Sequence, residues 1–208
     1  MRTLLITAGP SREYFDDVRF LSNASSGQMG IAVAEKARER GWHVQLALGP
    51  VEAQVPAGID VHRYTSAREL DEICQELWPE VDAFVATAAV CDYRPQQRVT
   101  GKRKKDGDDW ALTLVRNPDV LLERSKDKGE RTLVGFALEP HFDLSEAKRK
   151  LEQKSLDLIL LNTPHSLGQE KSHYHWLAPD THEDLGAIDK PSLAERIVDF
   201  LGDRVSDP

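Results

Sequence analysis

Cysteine is nearly absent. Cys74 and Cys91 are the two in 208 residues, with no C-x-x-C and no framework spacing. A disulfide scaffold and a cysteine-rich zinc site are therefore excluded. Long apolar runs are missing too: none approaches the roughly 20 residues of a bilayer span, so no membrane protein is expected. Positive charge is short, with 27 Lys and Arg against 35 Asp and Glu and a net charge of −8. Nucleic-acid affinity rests on clustered Lys and Arg, so a general nucleic-acid binder is not expected. The N-terminus, Met1-Arg2-Thr3-Leu4-Leu5-Ile6-Thr7, has one basic residue and runs straight into a strand. A signal peptide needs a longer apolar segment, and a cytoplasmic location follows as the expectation.

What is present is ordinary for a folded protein, with 40% hydrophobic and 30% charged residues. At roughly 100–200 residues per domain the length fits one large domain or two small ones. A single domain over 1–208 is the economical reading, with a projecting arm or flap at about 92–109. Apolar runs of strand length alternate with segments of helical period. This predicts an α/β fold, Rossmann-like and doubly wound, with a mostly parallel sheet, flanking helices and a small β flap or hairpin.

Strands are expected at Leu4–Ile6, His43–Leu48, Asp60–Tyr64, Ala83–Ala86, Trp110–Val115, Leu133–Phe136 and Leu156–Leu161. A hairpin is expected from His173–Ala178 and Asp184–Ile188. Helices are expected from near Gly27 to Gly41, over Ala67–Leu77 with Ser66 as cap, over Pro118–Arg124 with Asn117 as cap, over Leu144–Lys154 and over Ser192–Leu201.

In such sheets ligands gather beyond the carboxyl ends of the strands. Three loops there carry unusual residues. Asn23-Ala24-Ser25-Ser26-Gly27-Gln28-Met29-Gly30 leads into a helix, and its N–H groups and dipole suit a phosphate. The same residues equally suit a helix capped by Ser25 or Ser26, with glycines for close packing. Ala88-Ala89-Val90-Cys91-Asp92 offers small residues against which a flat ring can lie, and an acid for a base amine, a ribose hydroxyl or a metal; Asp92 also reads as a turn aspartate. Asn117-Pro118-Asp119 and the lysines Lys150 and Lys154, one helical turn apart, form the third. Lys102-Arg103-Lys104-Lys105 is a basic cluster on an acidic chain, which fits a small polyanion or a solvated loop.

Familiar motifs fail. There is no GxGxxG with a ribose acid, no Tyr followed four positions later by Lys, no Walker A and no GxSxG. An NADP-dependent reductase is disfavoured accordingly. His173-x-His175 and His182 permit a metal but read as surface-strand residues.

Taken in order, these segments resemble one family. Thr7-Ala8-Gly9, Arg12-Glu13, Asp16, Val18-Arg19-Phe20, Asn23-x-Ser25-Ser26-Gly27-x-Met29-Gly30, Ala88-Ala89-Val90-x-Asp92-Tyr93-Arg94, Lys102-x-Lys104-Lys105, Asn117-Pro118-Asp119, Gly135-Phe136-Ala137-x-Glu139, Lys150-x-x-x-Lys154 and Leu156-Asp157 to Asn162 resemble the phosphopantothenoylcysteine synthetase family over about residues 3 to 162.

The resemblance implies a ligase of coenzyme A biosynthesis. Such an enzyme activates 4′-phosphopantothenate with CTP or ATP and Mg²⁺, releases pyrophosphate, and passes the acyl group to L-cysteine. CTP is the expected nucleotide. Within the resemblance, Gly9, Ser26, Gly27, Ala88, Ala89, Val90, Asp92, Lys102, Asn117, Pro118, Asp119, Val120, Phe136, Lys150 and Lys154 bind the nucleotide. Asn23, Arg19, Lys104 and Lys105 bind substrate, and Lys102 and Asn23 are catalytic; the metal ligands stay open. A homodimer is implied. No flavin is expected, and a flavin-dependent decarboxylase would be a separate partner of a stand-alone or excised synthetase domain.

The chain departs from the family pattern at Pro10, at Gln28 where a lysine is common, at Cys91, and over Leu167–His175. A diverged nucleotide-binding module without ligase activity is the alternative these departures suggest.

Overall fold

Each central strand is apolar on both sides because both faces of its sheet are covered. A computed structural model describes residues 1–105, 107, 109–166 and 168–205. In chain order it contains β1 (Thr3–Ala8), β2 (Arg12–Tyr14), β3 (Phe20–Ser22), α1 (Gln28–Glu39), β4 (His43–Leu48), β5 (Asp60–Arg63), α2 (Ala67–Leu77), β6 (Ala83–Ala86), β7 (Tyr93–Pro95) and β8 (Leu114–Arg116). It continues with α3 (Val120–Ser125), β9 (Thr132–Leu138), α4 (Leu144–Gln153), β10 (Leu158–Asn162), β11 (Lys171–Ala178), β12 (Thr181–Asp189) and α5 (Lys190–Gly202).

The main sheet has eight strands in the order β12-β11-β10-β9-β6-β1-β4-β5. Pairing is parallel from β5 through to β10. The β11–β12 hairpin then extends it antiparallel. Alternation divides the core in two. Leu4, Ile6, Leu158 and Leu160 face one layer, with residues of α1 and α5. Leu5, Ile159 and Leu161 face the other, with residues of α2, α3 and α4. The chain builds outward from β1 to β5, then returns to β6 and builds the other way, so the strand order reverses between β1 and β6.

Several local expectations change. The α3 cap is Asp119, whose carboxylate accepts the Leu122 N–H, rather than Asn117, whose side chain is drawn to the Cys91 carbonyl at 2.8 Å. The N-cap of α1 is Gly27, with no side-chain cap bond, so neither Ser25 nor Ser26 fills that place. The last helix begins at Lys190 under an Asp189 cap, two residues before Ser192. In the Trp110–Val115 stretch, strand pairing is confined to its end and reaches Arg116, because the partner strand β7 is three residues long. Strand β10 starts at Leu158, since the Leu156 N–H still closes the end of α4 and the Asp157 carboxylate takes the Leu133 N–H.

Two small hairpins, β2–β3 and β7–β8, lie outside the main sheet and lean on each other. The loop after β7 folds over the β2–β3 turn: the Val99 N–H donates to the Phe15 carbonyl and the Asp17 N–H to the Gly101 carbonyl. Arg98 covers Tyr14 and Arg103 covers Trp110. This composite arm takes the place of the flap expected at 92–109, of which Asp106 and Asp108 lie outside the described residues.

Candidate functional site

The carboxyl ends of β1 and β6 open onto two clefts at the point of strand-order reversal. One, of about 560 Å³, is lined by Ala88, Val90, Asp92, Asn117, Pro118, Asp119, Val120, Phe136 and Lys154, among others. The second, of about 640 Å³, is lined by Asn23, Ser26, Gly27, Ala88, Ala89, Val90, Asp92 and Phe136, with Asn162, Tyr174 and Lys190. The segment Ala88–Asp92 is a wall between them: Ala88, Val90, Asp92 and Phe136 line both, Cys91 the first alone and Ala89 the second alone.

That wall is held by backbone geometry. The Ala89 N–H donates to the Gly9 carbonyl at 2.9 Å, and the Ser11 N–H donates to the Ala89 carbonyl at 3.3 Å. The Asn23 side-chain amide donates to the Ala89 and Val90 carbonyls at 3.1 and 3.0 Å. Its oxygen stays available as an acceptor. From the other side, the Asn117 N–H donates to the Asp92 carbonyl at 2.8 Å, and its amide nitrogen holds the Cys91 carbonyl. Gly9 therefore acts behind the wall rather than in either lining. The Asp92 carboxylate lies at both clefts, with no hydrogen-bond partner among the described residues. Burial pushes the neighbouring Cys91 thiol up.

The second cleft meets the N-terminus of α1. Gly27 leads into the helix with φ 70°, and the first-turn N–H groups take no side-chain acceptor. A helix start left so, beside a cleft, suits an anion. Cationic groups are less available. The Lys154 ammonium reaches Asp119 at 2.7 Å, and that of Lys150 reaches Glu139 at 2.5 Å. Lys154 still lines the first cleft, whereas Lys150 lies outside both linings.

Arg19, Lys102, Lys104 and Lys105 also lie outside both linings. Arg19 is taken up inside the arm, where it binds Asp16 and donates to the Arg103 carbonyl. The structure thus brings together Asn23, Ser26, Gly27, Ala88–Val90, Asp92, Asn117–Val120, Phe136 and Lys154, and leaves the basic cluster on the arm. Tyr174 and Lys190 went unnoticed as cleft residues in the sequence. Tyr174 sits on the antiparallel β11 and Lys190 at the start of α5, where the strand-end rule does not look. Burial raises the Tyr174 hydroxyl above the usual tyrosine range.

Fold and site together define a doubly wound α/β protein with a paired cleft at its switch point. The chain belongs to the DNA/pantothenate metabolism flavoprotein C-terminal domain family, which matches residues 1–204. It is 41% identical over 204 residues to the coenzyme A biosynthesis bifunctional protein CoaBC of Haemophilus influenzae, covering 96% of this chain and 51% of that protein. To the protein of the same name from Vibrio vulnificus it is 40% identical over 171 residues, covering 81% and 43%. The crystal structure of a CoaBC C-terminal domain superposes with a TM-score of 0.82 at 31% identity, covering 96% of this chain and 93% of that one. The chain spans about half the length of the curated relatives it matches.

Proposed function

We propose that residues 1–208 act as one ligase unit that joins 4′-phosphopantothenate to L-cysteine in coenzyme A biosynthesis, through an acyl-nucleotidyl intermediate formed from CTP. The observation that carries this reading is the common wall. One chain segment, Ala88–Asp92, faces a nucleotide-sized cleft on one side and, on the other, a cleft ending at an uncapped helix. Family membership and the similarity to CoaBC proteins support it.

The base and ribose lie against Ala88, Ala89, Val90 and Asp92, enclosed by Asn117, Pro118, Asp119, Val120 and Phe136. The phosphates turn toward Ser26 and Gly27, where the first-turn peptide N–H groups of α1 bind them. The pantothenate carboxylate attacks the α-phosphorus and pyrophosphate leaves. The cysteine amine then attacks the acyl carbon, loses a proton, and the nucleoside monophosphate leaves. Asn23, fixed by its two carbonyl contacts, offers its amide oxygen to accept from the incoming cysteine amine and so orients it toward the acyl carbon during the second step.

Two anions must meet in the first step, so positive charge aimed at the developing phosphorane dominates the barrier. Lys102 supplies it from the arm of a second copy in a homodimer, with Lys104, Lys105 and Arg19 near the incoming substrate. What supports the trans arrangement is that Lys102, Lys104, Lys105 and Arg19 line neither cleft of their own chain. Mg²⁺ fits the donor set: the Asp92 carboxylate, without a hydrogen-bond partner among the described residues, would hold this hard oxygen-seeking cation beside the triphosphate. When bound it offsets triphosphate charge. The product is then a substrate for a flavin-dependent decarboxylase.

The test is incubation with Mg²⁺, phosphopantothenate and either CTP or ATP, with cysteine withheld and then added. Pyrophosphate release without cysteine, followed by monophosphate release on its addition, is the expected sequence, and CTP outperforms ATP. Silence with both nucleotides would replace this reading with a nucleotide-binding module lacking ligase activity, the outcome to which Pro10 and Gln28 point.

A further inference from the structure

The outer hairpin carries a cluster of ligating side chains that neither cleft uses. His173 and His175 stand two apart on β11 and so share one face. Their rings are stacked, with centroids 5.2 Å apart. The opposite strand is irregular at this point: His173 pairs with Ala187 and His175 with Asp184, so β12 spends three steps where β11 spends two. Gly186 absorbs the extra residue at φ 59°, and its N–H donates to Asp184 Oδ1 at 2.9 Å. Such a bulge re-aims a side chain. Here it turns Asp184 onto His173, whose Nε2 lies 2.5 Å from Asp184 Oδ1.

Two further contacts order the cluster. His175 Nδ1 meets His182 Nε2 at 3.0 Å. The Phe142 ring backs both His173 and His175, each at a centroid distance of 4.7 Å. His175 is 9% exposed, while His173 and Asp184 are open to solvent. One donor atom from each of His173, His175 and Asp184 falls within 4.8 Å of the others. A tetrahedral zinc shell separates donors by about 3.3 Å, so a rotation of the exposed His173 ring closes the set.

We propose that His173, His175 and Asp184 bind a divalent transition cation of the zinc class, with one position left to water, and that His182 is a positioning residue holding the His175 ring through Nδ1. Two imidazoles and one carboxylate are borderline donors that suit Zn²⁺, Co²⁺, Ni²⁺ or Cu²⁺ and disfavour Mg²⁺. The site is thus chemically distinct from any metal accompanying a triphosphate, and none of its residues lines either cleft. Bound metal would join β11 to β12 across the bulge.

The full chain, stripped with chelator and dialysed, is titrated with Co²⁺ alone and followed by its visible ligand-field absorption. The expected result is one ion per chain, displaced by equimolar Zn²⁺ and not by a large excess of Mg²⁺. His173→Ala and Asp184→Asn, at exposed positions where folding is not at stake, each weaken binding roughly 100-fold or more, and His182→Ala weakens it about 10- to 100-fold. His43→Ala, in the exposed His43–Asp60 pair of the opposite sheet edge, changes nothing. Binding that is absent from the parent chain, that survives both H173A and D184N, or that yields to Mg²⁺ overturns the site. An unchanged affinity in H182A overturns the positioning role.

Discussion

The cleft wall and the arm are both irregular segments near the same sheet edge, yet they are fastened by different chemistry. The wall from Ala88 to Asp92 is held by neutral hydrogen bonds: its carbonyls accept from Asn23, Asn117 and Ser11, and its Ala89 N–H donates to the Gly9 carbonyl. The arm is held by charge. Asp16 accepts from Arg19 and from the Arg103 N–H, Asp17 pairs with Arg98 at 3.0 Å, and arginines cover Phe20, Tyr14 and Trp110. Neutral bonds inside a packed edge are indifferent to salt, whereas exposed ion pairs weaken with it. The wall is therefore a fixed template that leaves Asp92 free for a ligand. The arm is an adjustable part that presents Lys102, Lys104 and Lys105 without a described acidic partner.

Lys102→Gln tests the arm's side of this contrast most severely. If the arm delivers transition-state charge, pyrophosphate release falls about 10²- to 10³-fold, as for removal of one preorganised donor, while nucleotide binding to the wall is little changed. Isotope exchange of labelled pyrophosphate into CTP separates the two. Equal losses of binding and rate would erase the distinction between template and adjustable part.

Gly30→Ala tests the wall's side. A Cβ at Gly30 would stand 2.5 Å from the Ala8 Cβ and 2.6 Å from the Thr87 Oγ1, which is itself bonded to the Thr7 carbonyl at 2.7 Å. Helix α1 must back away from the ends of β1 and β6. Overpacking of this kind costs about 1–3 kcal/mol, so the urea midpoint drops with its slope unchanged. An unchanged midpoint would mean that the edge gives way easily and is no template.

The same contrast explains what could be read without coordinates. Strand β4 and helix α2 fall on the residues expected, because their signals are local: a run of alternating burial in one, and Ser66 with Glu69 closing a capping box in the other. The cleft segments were legible because strand order fixes where loops gather and small residues there have few other uses. The hairpin β2–β3 was not, and β7–β8 was legible only as a flap with a strand near Trp110–Val115. Their strands are three residues each, too short to show a period, and they depend on partners more than 80 positions apart, as with Asp16 and Arg103. Asn117 reads as the cap of α3 for a like reason. Asn117 and Asp119 both flank Pro118, and only the distant Cys91 carbonyl decides between them. Nor did spacing show that Lys150 and Lys154 would be matched by Glu139 and Asp119. The roles of site residues came from family resemblance rather than from periodicity.

The smallest effect concerns the arm's anchor and its pH range. The Asp16 side chain is buried and accepts five hydrogen bonds: from the N–H groups of Val18 and Arg19, twice from the Arg19 guanidinium, and from the Arg103 N–H. The Arg19 side chain first, then the backbone donors, hold its carboxyl well below the usual carboxylate range. An unfolded aspartate titrates at about 3.9. Because the folded value is lower, the stabilisation is complete above that pH, fades as pH drops beneath it, and is gone only below the folded value. Exchange protection of the Arg103 amide should then be the same at pH 7 and pH 4.5. Asp16→Asn sets amide protons against the Arg19 guanidinium and the Arg103 N–H, and protection at Arg103 falls roughly fivefold while the Ala89 amide, bonded to Gly9, keeps its own. Protection at Arg103 that fades between pH 6 and 4.5 would assign the anchor to an ordinary carboxylate, and a parallel loss at Ala89 would show wall and arm to be one cooperative piece.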